Sequence, residues 1–260
     1  MISQADMKRV RALHQKKYRA EHRRFLVQGR KVVGELLTTL PGSAFLPCPE
    51  AVFATAEAAS FIGPMAVVAG VPVHVLAAHE LERIGTLETG NELVAVAIEP
   101  EAPAFRAPVS GELMLALDGI HDPRNMGGLL RIADWFGVGR LLCSPDCMEI
   151  YNPKVVQSSM GSIFRVEVRY EPLAEELRRC ATAGASIYLA HMEGTPVFEV
   201  SLARPAVLVL GSESHGLSEA LRAMDAAVLS IPRLGRAESL NVAMAAAALC
   251  SEFARQARRP

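Results

Sequence analysis

Residues 231–255 read IPRLGRAESLNVAMAAAALCSEFAR, and the change of character along this stretch decides the fold. Ile231 and Pro232 close an apolar run and a glycine-containing loop follows. After Ser239-Leu240-Asn241 comes an Ala/Met/Leu run whose small side chains and helix propensity predict a tightly packed helix. Gly235, Ser239 and Asn241 thus stand where a loop enters a buried helix. Backbone at such a point can approach a ligand closely, which makes the loop a candidate site.

Working back from this stretch, apolar strands alternate with helical segments as far as residue 112. Strands are expected at 112–118, 139–144, 164–168, 186–192, 206–211 and 227–232, and helices at 127–136, 153–162, 173–183 and 217–224. This rhythm predicts a parallel sheet covered on both faces, which binds ligands beyond the carboxyl ends of its strands. The loops after Asp118, Leu210 and Ile231 are therefore the places to look.

Further upstream, residues 99–110 (EPEAPAFRAPVS) concentrate three prolines and predict a stiff linker, here bounded at 100–110. A C-terminal domain then covers 111–260 and an N-terminal one 1–99. In the latter, a helix is expected over 3–15 with Ser3 as its cap, a short strand at FLVQG and a helix over 30–40. Strands at 52–55, 71–76 and 92–99 follow, with a helical stretch interrupted at Pro64. The net charge of −1 conceals an asymmetry. Ten Lys and Arg lie between Met1 and Lys31, against Asp6 and Glu21, whereas residues 32–110 carry only Arg83 and Arg106. An exposed basic face attracts phosphates. Tyr18 and Phe25 among these cations have the chemistry to stack on bases, although a core role fits Phe25 better.

Three loops carry chemical content. In DGIHDPRNMGGLLRIADWFGVG (118–139), Asn125 is placed to cap a helix, Gly127 and Gly128 open its first turn, and Arg131 follows six residues later, about 9 Å of helical rise. His121 and Arg124 add donors. Neither GxGxxG nor GxxxxGK[ST] is present, so a dinucleotide site of the usual kind is unsupported. In VLGSESHGLSEAL, Glu213 is held between Gly211 and Gly216 after an apolar strand. The third loop is the opening stretch, with Arg233, Arg236, Ser239 and Asn241.

The order N-x-G-x-x-x-R, G-x-E-x-x-G and I-P-x-x-G-x-x-x-S-L-N-V closely resembles the three motifs of the SpoU/TrmH-like RNA ribose 2′-O-methyltransferases of the SPOUT class. NPKVVQSSMGSIFRV (152–166) is similar to another segment of that family, and the likeness runs from Asp118 to the C-terminus. KKYRAEHRRFLVQGRKVVGELL resembles the substrate-binding domain many members carry, whose fold is like that of small RNA-binding ribosomal proteins. TLETGNELVAV departs from it in lacking a PQG before the last strand.

The resemblance implies an α/β protein whose C-terminal parallel-sheet domain is tied in a deep trefoil knot, a rare exception to the rule against knots. It implies S-adenosyl-L-methionine as cofactor, set against Leu210, Gly211, Gly216, Ile231 and Leu240, and a homodimer formed through the C-terminal domain. It places Arg131 at the catalytic position, with Asn125, Glu213, Ser239 and Asn241 orienting it, the ribose and the loops. A guanidinium seldom gives up its proton, so stabilising the developing alkoxide and fixing the phosphate suit Arg131 better than acting as base. His121 and His215 read as local hydrogen-bonding residues. Lys16, Lys17, Arg19, Arg23, Arg24 and Arg30 are the expected RNA contacts, together with Arg233, which stands where relatives often have Met. The RNA is rRNA or tRNA. Two alternatives stay open: a noncatalytic RNA-binding or ribosome-assembly protein, and an RNA base methyltransferase on the same fold.

The five cysteines are odd in number and form no CxxC pair, so reduced core thiols are expected and no metal site. No apolar run approaches the ~18 residues of a membrane span, and no secretory signal is evident, so a cytoplasmic address is expected.

Overall fold

The structure, a computed structural model, describes residues 3–38, 47–86, 90–101 and 104–257. Two compact units emerge. One comprises residues 1–103 with 149–165, the other 104–148 with 166–260. Residues 149–165, expected from the sequence in the C-terminal domain, thus group with the first unit. Parts of the expected linker (102–103), of the 30–40 helix (39–40) and of the stretch lacking PQG (87–89) lie outside the described residues.

The first unit begins with α1 (Gln4–Ala12), capped by Ser3, whose hydroxyl accepts from the Asp6 N–H. The helix expected over 3–15 ends at Ala12, because the chain turns at residues 13–15, and a helix not expected from the sequence, α2 (Lys16–His22), follows. The carbonyls freed at that turn are taken by the Arg19 guanidinium, which donates to the Leu13 and His14 oxygens at 2.8 and 2.9 Å. Then follow β1 (Arg24–Gln28), α3 (Arg30–Thr38), β2 (Cys48–Ala54), α4 (Ala56–Ala69), β3 (Val73–Val75), α5 (Ala78–Ile84) and β4 (Leu93–Ile98). The sheet order is β1-β4-β2-β3, antiparallel except for the β2–β3 pair. Helix α4 runs through Pro64 rather than breaking there. Ala58, Ile62 and Ala66 bury one face, while Pro64 lies on the solvent side, where water can satisfy the carbonyl it leaves unpaired.

The second unit opens with β5 (Leu113–Asp118), α6 (Pro123–Trp135) and β6 (Arg140–Cys143). The chain then contributes α7 (Pro153–Ser159) to the first unit, where Phe25 of β1 stacks on Tyr151 at 4.4 Å. It continues through β7 (Glu167–Tyr170), α8 (Leu173–Thr182), β8 (Ser186–Pro196), β9 (Ala206–Gly211), α9 (Glu219–Arg222), β10 (Ala227–Ser230) and α10 (Val242–Ala257). The strand expected at 164–168 starts later, because Ser162–Phe164 forms a 3-10 turn that buries Ile163 and Phe164. The six strands are all parallel, in the order β10-β8-β9-β5-β6-β7. Central β5 and β9 are apolar on both faces and buried on both, as a covered parallel sheet requires. Successive strands leave β5 toward β7 and return through β8 to β9 on its other side. The β5–β9 junction is therefore the topological switch point, and there Asp118 and Gly211 are register partners.

Candidate active site

The loops leaving β5 and β9 open at this switch point. After β5, Asp122 caps α6, its carboxylate accepting the N–H groups of Arg124 and Asn125, with Pro123 at the first helical position. The cap is thus Asp122, not Asn125, because an ionised carboxylate two or three residues upstream already satisfies these donors. The Asn125 side chain is left available for another contact.

That contact joins all three loops. Asn241 Nδ2 donates to Asn125 Oδ1 at 2.9 Å and to Glu213 Oε1 at 2.5 Å. Glu213 Oε1 also accepts the Val242 N–H at 3.2 Å, and Asn241 Oδ1 accepts the N–H groups of Ala243 and Met244. Asn241 is thus both the cap of α10 and the link between the other loops. A carboxylate beside the first turn of a helix is held by free N–H groups and by the helix dipole. Behind this hub α6 and α10 pack closely: a Cβ on Gly128 would meet Ala243 Cβ at 3.3 Å.

The loop after β9 is a tight backbone hairpin in which Ser212 and Gly216 exchange N–H···O bonds of 3.1 and 2.9 Å. Gly216 has φ +65°, and a Cβ at Gly211 would lie within 2.5 Å of Gly216 and Leu217 backbone atoms, so only glycine allows the closure. Asp118, at the end of β5, anchors the far side by accepting the Ser218 N–H at 2.6 Å. Sequence reasoning missed Asp118 as an anchor; an acidic residue ending an otherwise apolar strand was the available signal.

Other expected site residues lie outside the hub. Arg131 is exposed on α6 and makes no hydrogen bond or ion pair among the described residues; six residues of helix turn it well away from Asn125. Residues 232–240 are all exposed, Arg233, Gly235, Arg236 and Ser239 included; Leu240 is half exposed, Ile231 partly covered and Leu210 buried. These loops present free backbone and apolar side chains, a surface suited to a nucleoside-like ligand.

A second cluster, also missed, ties the turn after β6 to the loop after β5. The Ser144 hydroxyl accepts the Gly119 N–H at 2.9 Å and donates to Asp146 Oδ1 at 2.5 Å; Asp146 in turn faces His121 Nε2 at 3.4 Å. The Ser144 hydrogen bond holds the Asp146 carboxyl below its ordinary range. Cys147 accepts the Ile120 N–H and donates to the Leu117 carbonyl, both at 3.2 Å. A hydrogen bond from Cys143 brings the Cys147 thiol down to about 7, against the opposing effect of burial, while Cys143 is pushed up. All five cysteines are free.

In the first unit, Lys16 and Lys17 are exposed, and Arg23 is exposed with one bond to the Pro100 carbonyl. Arg24 pairs with Glu50, and Arg30 with Glu92 and Glu57, both half-buried. Arg19 does not belong with the RNA-facing cations: it is 3% exposed and bound to Glu149 at 2.5 Å, so its charge is spent inside the unit.

A parallel sheet with three interlocked loops at its switch point defines the class of α/β enzymes and binding proteins that hold a ligand at strand ends. Within it the family is specific. The model of the SpoU rRNA Methylase family matches residues 112–251, and that of the MRM3-like substrate binding domain residues 4–95. The chain belongs to the SpoU rRNA methylase family. It is 29% identical to the 23S rRNA (guanosine(2553)-2′-O)-methyltransferase RlmP of Bacillus subtilis, over 91% of each chain. It is 35% identical to the 23S rRNA (uridine(2479)-2′-O)-methyltransferase of Streptomyces viridochromogenes, over 65% of this chain and 62% of that one. Among solved structures, a TrmH-family protein from Porphyromonas gingivalis superposes with TM-score 0.84 at 35% identity, covering 98% and 99% of the two chains. The SpoU methyltransferase AviRb from Streptomyces viridochromogenes, in complex with AdoMet, does so with TM-score 0.84 at 26% identity and 98% coverage of both.

Proposed function

We infer that the protein transfers the methyl group of S-adenosyl-L-methionine to a ribose 2′-hydroxyl of RNA. The observation that carries this reading is the Asn125–Asn241–Glu213 hub, formed at the sheet's switch point by one residue from each of three separated motifs. rRNA is the favoured substrate over tRNA, because the relative matched along nine tenths of both chains is named as a 23S rRNA enzyme.

Leu210, Gly211, Gly216, Ile231 and Leu240 would hold the cofactor. The fit is supported by the glycine-only hairpin at 211–216 and by the exposed, partly apolar loop that ends at Leu240. When bound, S-adenosylmethionine supplies an electrophilic sulfonium methyl. The chain's residues do the positioning. Glu213 and Asn241 lock the two loops, and Asn125 ties them to α6, so that the ribose oxygen and the sulfonium methyl can be held in line, an arrangement able to supply several kcal/mol of the barrier. Arg131, with its guanidinium unengaged, is suited to the RNA phosphate and to charge developing on the ribose oxygen. Ser239 and Arg233 lie on the exposed loop, where ribose and phosphate are accessible to them.

The threading of the C-terminal tail into a deep trefoil knot belongs to the same reading, supported by the close seating of α10 on α6. A homodimer through this domain is supported by two exposed apolar side chains, Trp135 (84% exposed) on α6 and Met244 on α10. A cytoplasmic site of action fits an RNA substrate; among the described residues no helix is long and apolar enough to cross a membrane.

The deciding experiment is transfer of labelled methyl to ribosomal RNA from a strain lacking the protein, followed by digestion to nucleosides. Label on 2′-O-methylribose is expected. Label on a base would favour a base methyltransferase, and absence of label with retained RNA binding would favour a noncatalytic RNA-binding protein.

A further inference from the structure

Ribose methylation leaves one proton to be removed, and the residues at the hub are poorly placed to take it. Arg131 is a guanidinium, charged throughout the working pH range. Glu213 Oε1 is engaged by two N–H donors. His121 is different. It lies on the loop between β5 and the Asp122 cap, is 64% exposed, and has Asp146 as its ion-pair partner.

Its neighbourhood is fixed by several independent contacts. Gly119, two residues earlier, has φ +65° and a backbone N–H bound to Ser144. A Cβ built on Gly119 would lie 3.6 Å from Asp146 Oδ2, 3.8 Å from Ser212 Cβ and 4.0 Å from His121 Cε1. The imidazole and Ser212, the first residue of the 212–216 hairpin, thus both flank Gly119 at the end of β5. One residue further on, Asp122 holds the turn that bears Asn125. Asp146 is itself oriented by the Ser144 hydroxyl, so the order Ser144–Asp146–His121 is a relay of fixed hydrogen-bonding partners ending in an exposed imidazole.

We propose that His121, oriented by Asp146, is the proton acceptor for the ribose 2′-hydroxyl. The proposal rests on the ribose-methylation reading. With Nε2 turned toward Asp146, Nδ1 offers the lone pair. The 2′-O–H bond breaks and its proton passes to Nδ1. The oxygen's electron pair forms the new O–CH3 bond, and the S–CH3 bond breaks with its pair left on sulfur. The imidazolium, stabilised by Asp146, then returns the proton to water. Imidazole is the side chain whose charge changes near neutral pH, which suits a general base. The charged and titratable groups on the surrounding elements are Asp146 and Cys147 of the β6 turn, Asp118, Asp122 and Arg124 on its own side, and Glu213 and His215 of the hairpin loop. His215, by contrast, has no side-chain partner among the described residues.

The test combines kinetics with a measurement on the free protein. In wild type, kcat should rise with pH and then level off. His121→Ala should lower kcat about 100-fold or more, with S-adenosylmethionine affinity by calorimetry unchanged, and free imidazole in the buffer should restore part of the rate. In Asp146→Asn, kcat should fall with S-adenosylmethionine affinity unchanged, and the pH profile of kcat should differ from that of wild type. A near-normal rate and unchanged pH profile in His121→Ala would overturn the proposal, as would a rate and pH profile in Asp146→Asn identical to those of wild type. Wild type that places no label on ribose would overturn the ribose-methylation reading itself, a result distinguishable from both.

Discussion

At the residue scale, two arginines expected to meet RNA have opposite fates. Arg131 is exposed and uncommitted, so Arg131→Ala should fold normally and bind cofactor and RNA, while kcat falls about 100- to 1,000-fold, the usual loss when a charge-stabilising donor is removed. Single-turnover methyl transfer checks this, and near-normal turnover would remove Arg131 from the site. Arg19 is buried against Glu149 and two carbonyls. Arg19→Ala leaves a part-buried carboxylate and two carbonyls without their donor and should cost about 3–5 kcal/mol in urea denaturation, with no specific change in the salt dependence of RNA binding. Spacing revealed both residues as cations; only burial separates a charge that meets RNA from one that holds a turn.

At the element scale, the 211–216 hairpin depends on the absence of a side chain. Gly211→Ala forces a Cβ to within 2.5 Å of Gly216 and Leu217 backbone, so the loop must open. Cofactor affinity measured by calorimetry should fall at least tenfold and Tm should drop; retention of both would show that the loop adapts at no cost. The sequence displayed this element clearly, since two glycines bracketing a carboxylate after an apolar strand are a local pattern. It did not display the Ser144–Asp146–His121 cluster. Those residues come from two strand ends 25 positions apart, and parallel pairing of β5 with β6 is what brings them together. The early end of the first helix has the same origin, because the turn at 13–15 is satisfied by a side chain from the next helix.

At the scale of the whole molecule, each unit carries its own sensitivity. In the first, burial, reinforced by the Glu149 charge, raises the Glu99 carboxyl to about 7 from an ordinary value of 4.5. A carboxyl raised on folding stabilises the protein most below its unfolded value, and that stability is lost as pH rises through about 7. Glu99→Gln should therefore raise stability by about 1–2 kcal/mol at pH 8, allowing for residual exposure, and by little near pH 4. Thermal melts at the two pH values check the sign; equal effects at both would show that Glu99 is not perturbed. Reversing Lys16, Lys17 and Arg23 together should weaken RNA binding and flatten its dependence on salt, since fewer phosphates are then neutralised and fewer counterions released. An unchanged slope in a filter-binding titration would move the RNA surface elsewhere.

The sequence alone determined the α/β rhythm of the second unit, the three motif loops and the charge asymmetry of the first. All are local, set by apolar periodicity, by glycine's backbone freedom and by composition. Tertiary structure alone decided that Asn125, Glu213 and Asn241 meet, that Asp122 rather than Asn125 caps α6, and that Arg19 is interior. It also decided that residues 149–165 pack with the first unit and that Asp146 meets His121. The physical reason is common to these cases. Hydrogen bonds and ion pairs between residues far apart in the chain exist only once strand order has fixed which loops are neighbours, and strand order is a property of the packed sheet rather than of any stretch within it.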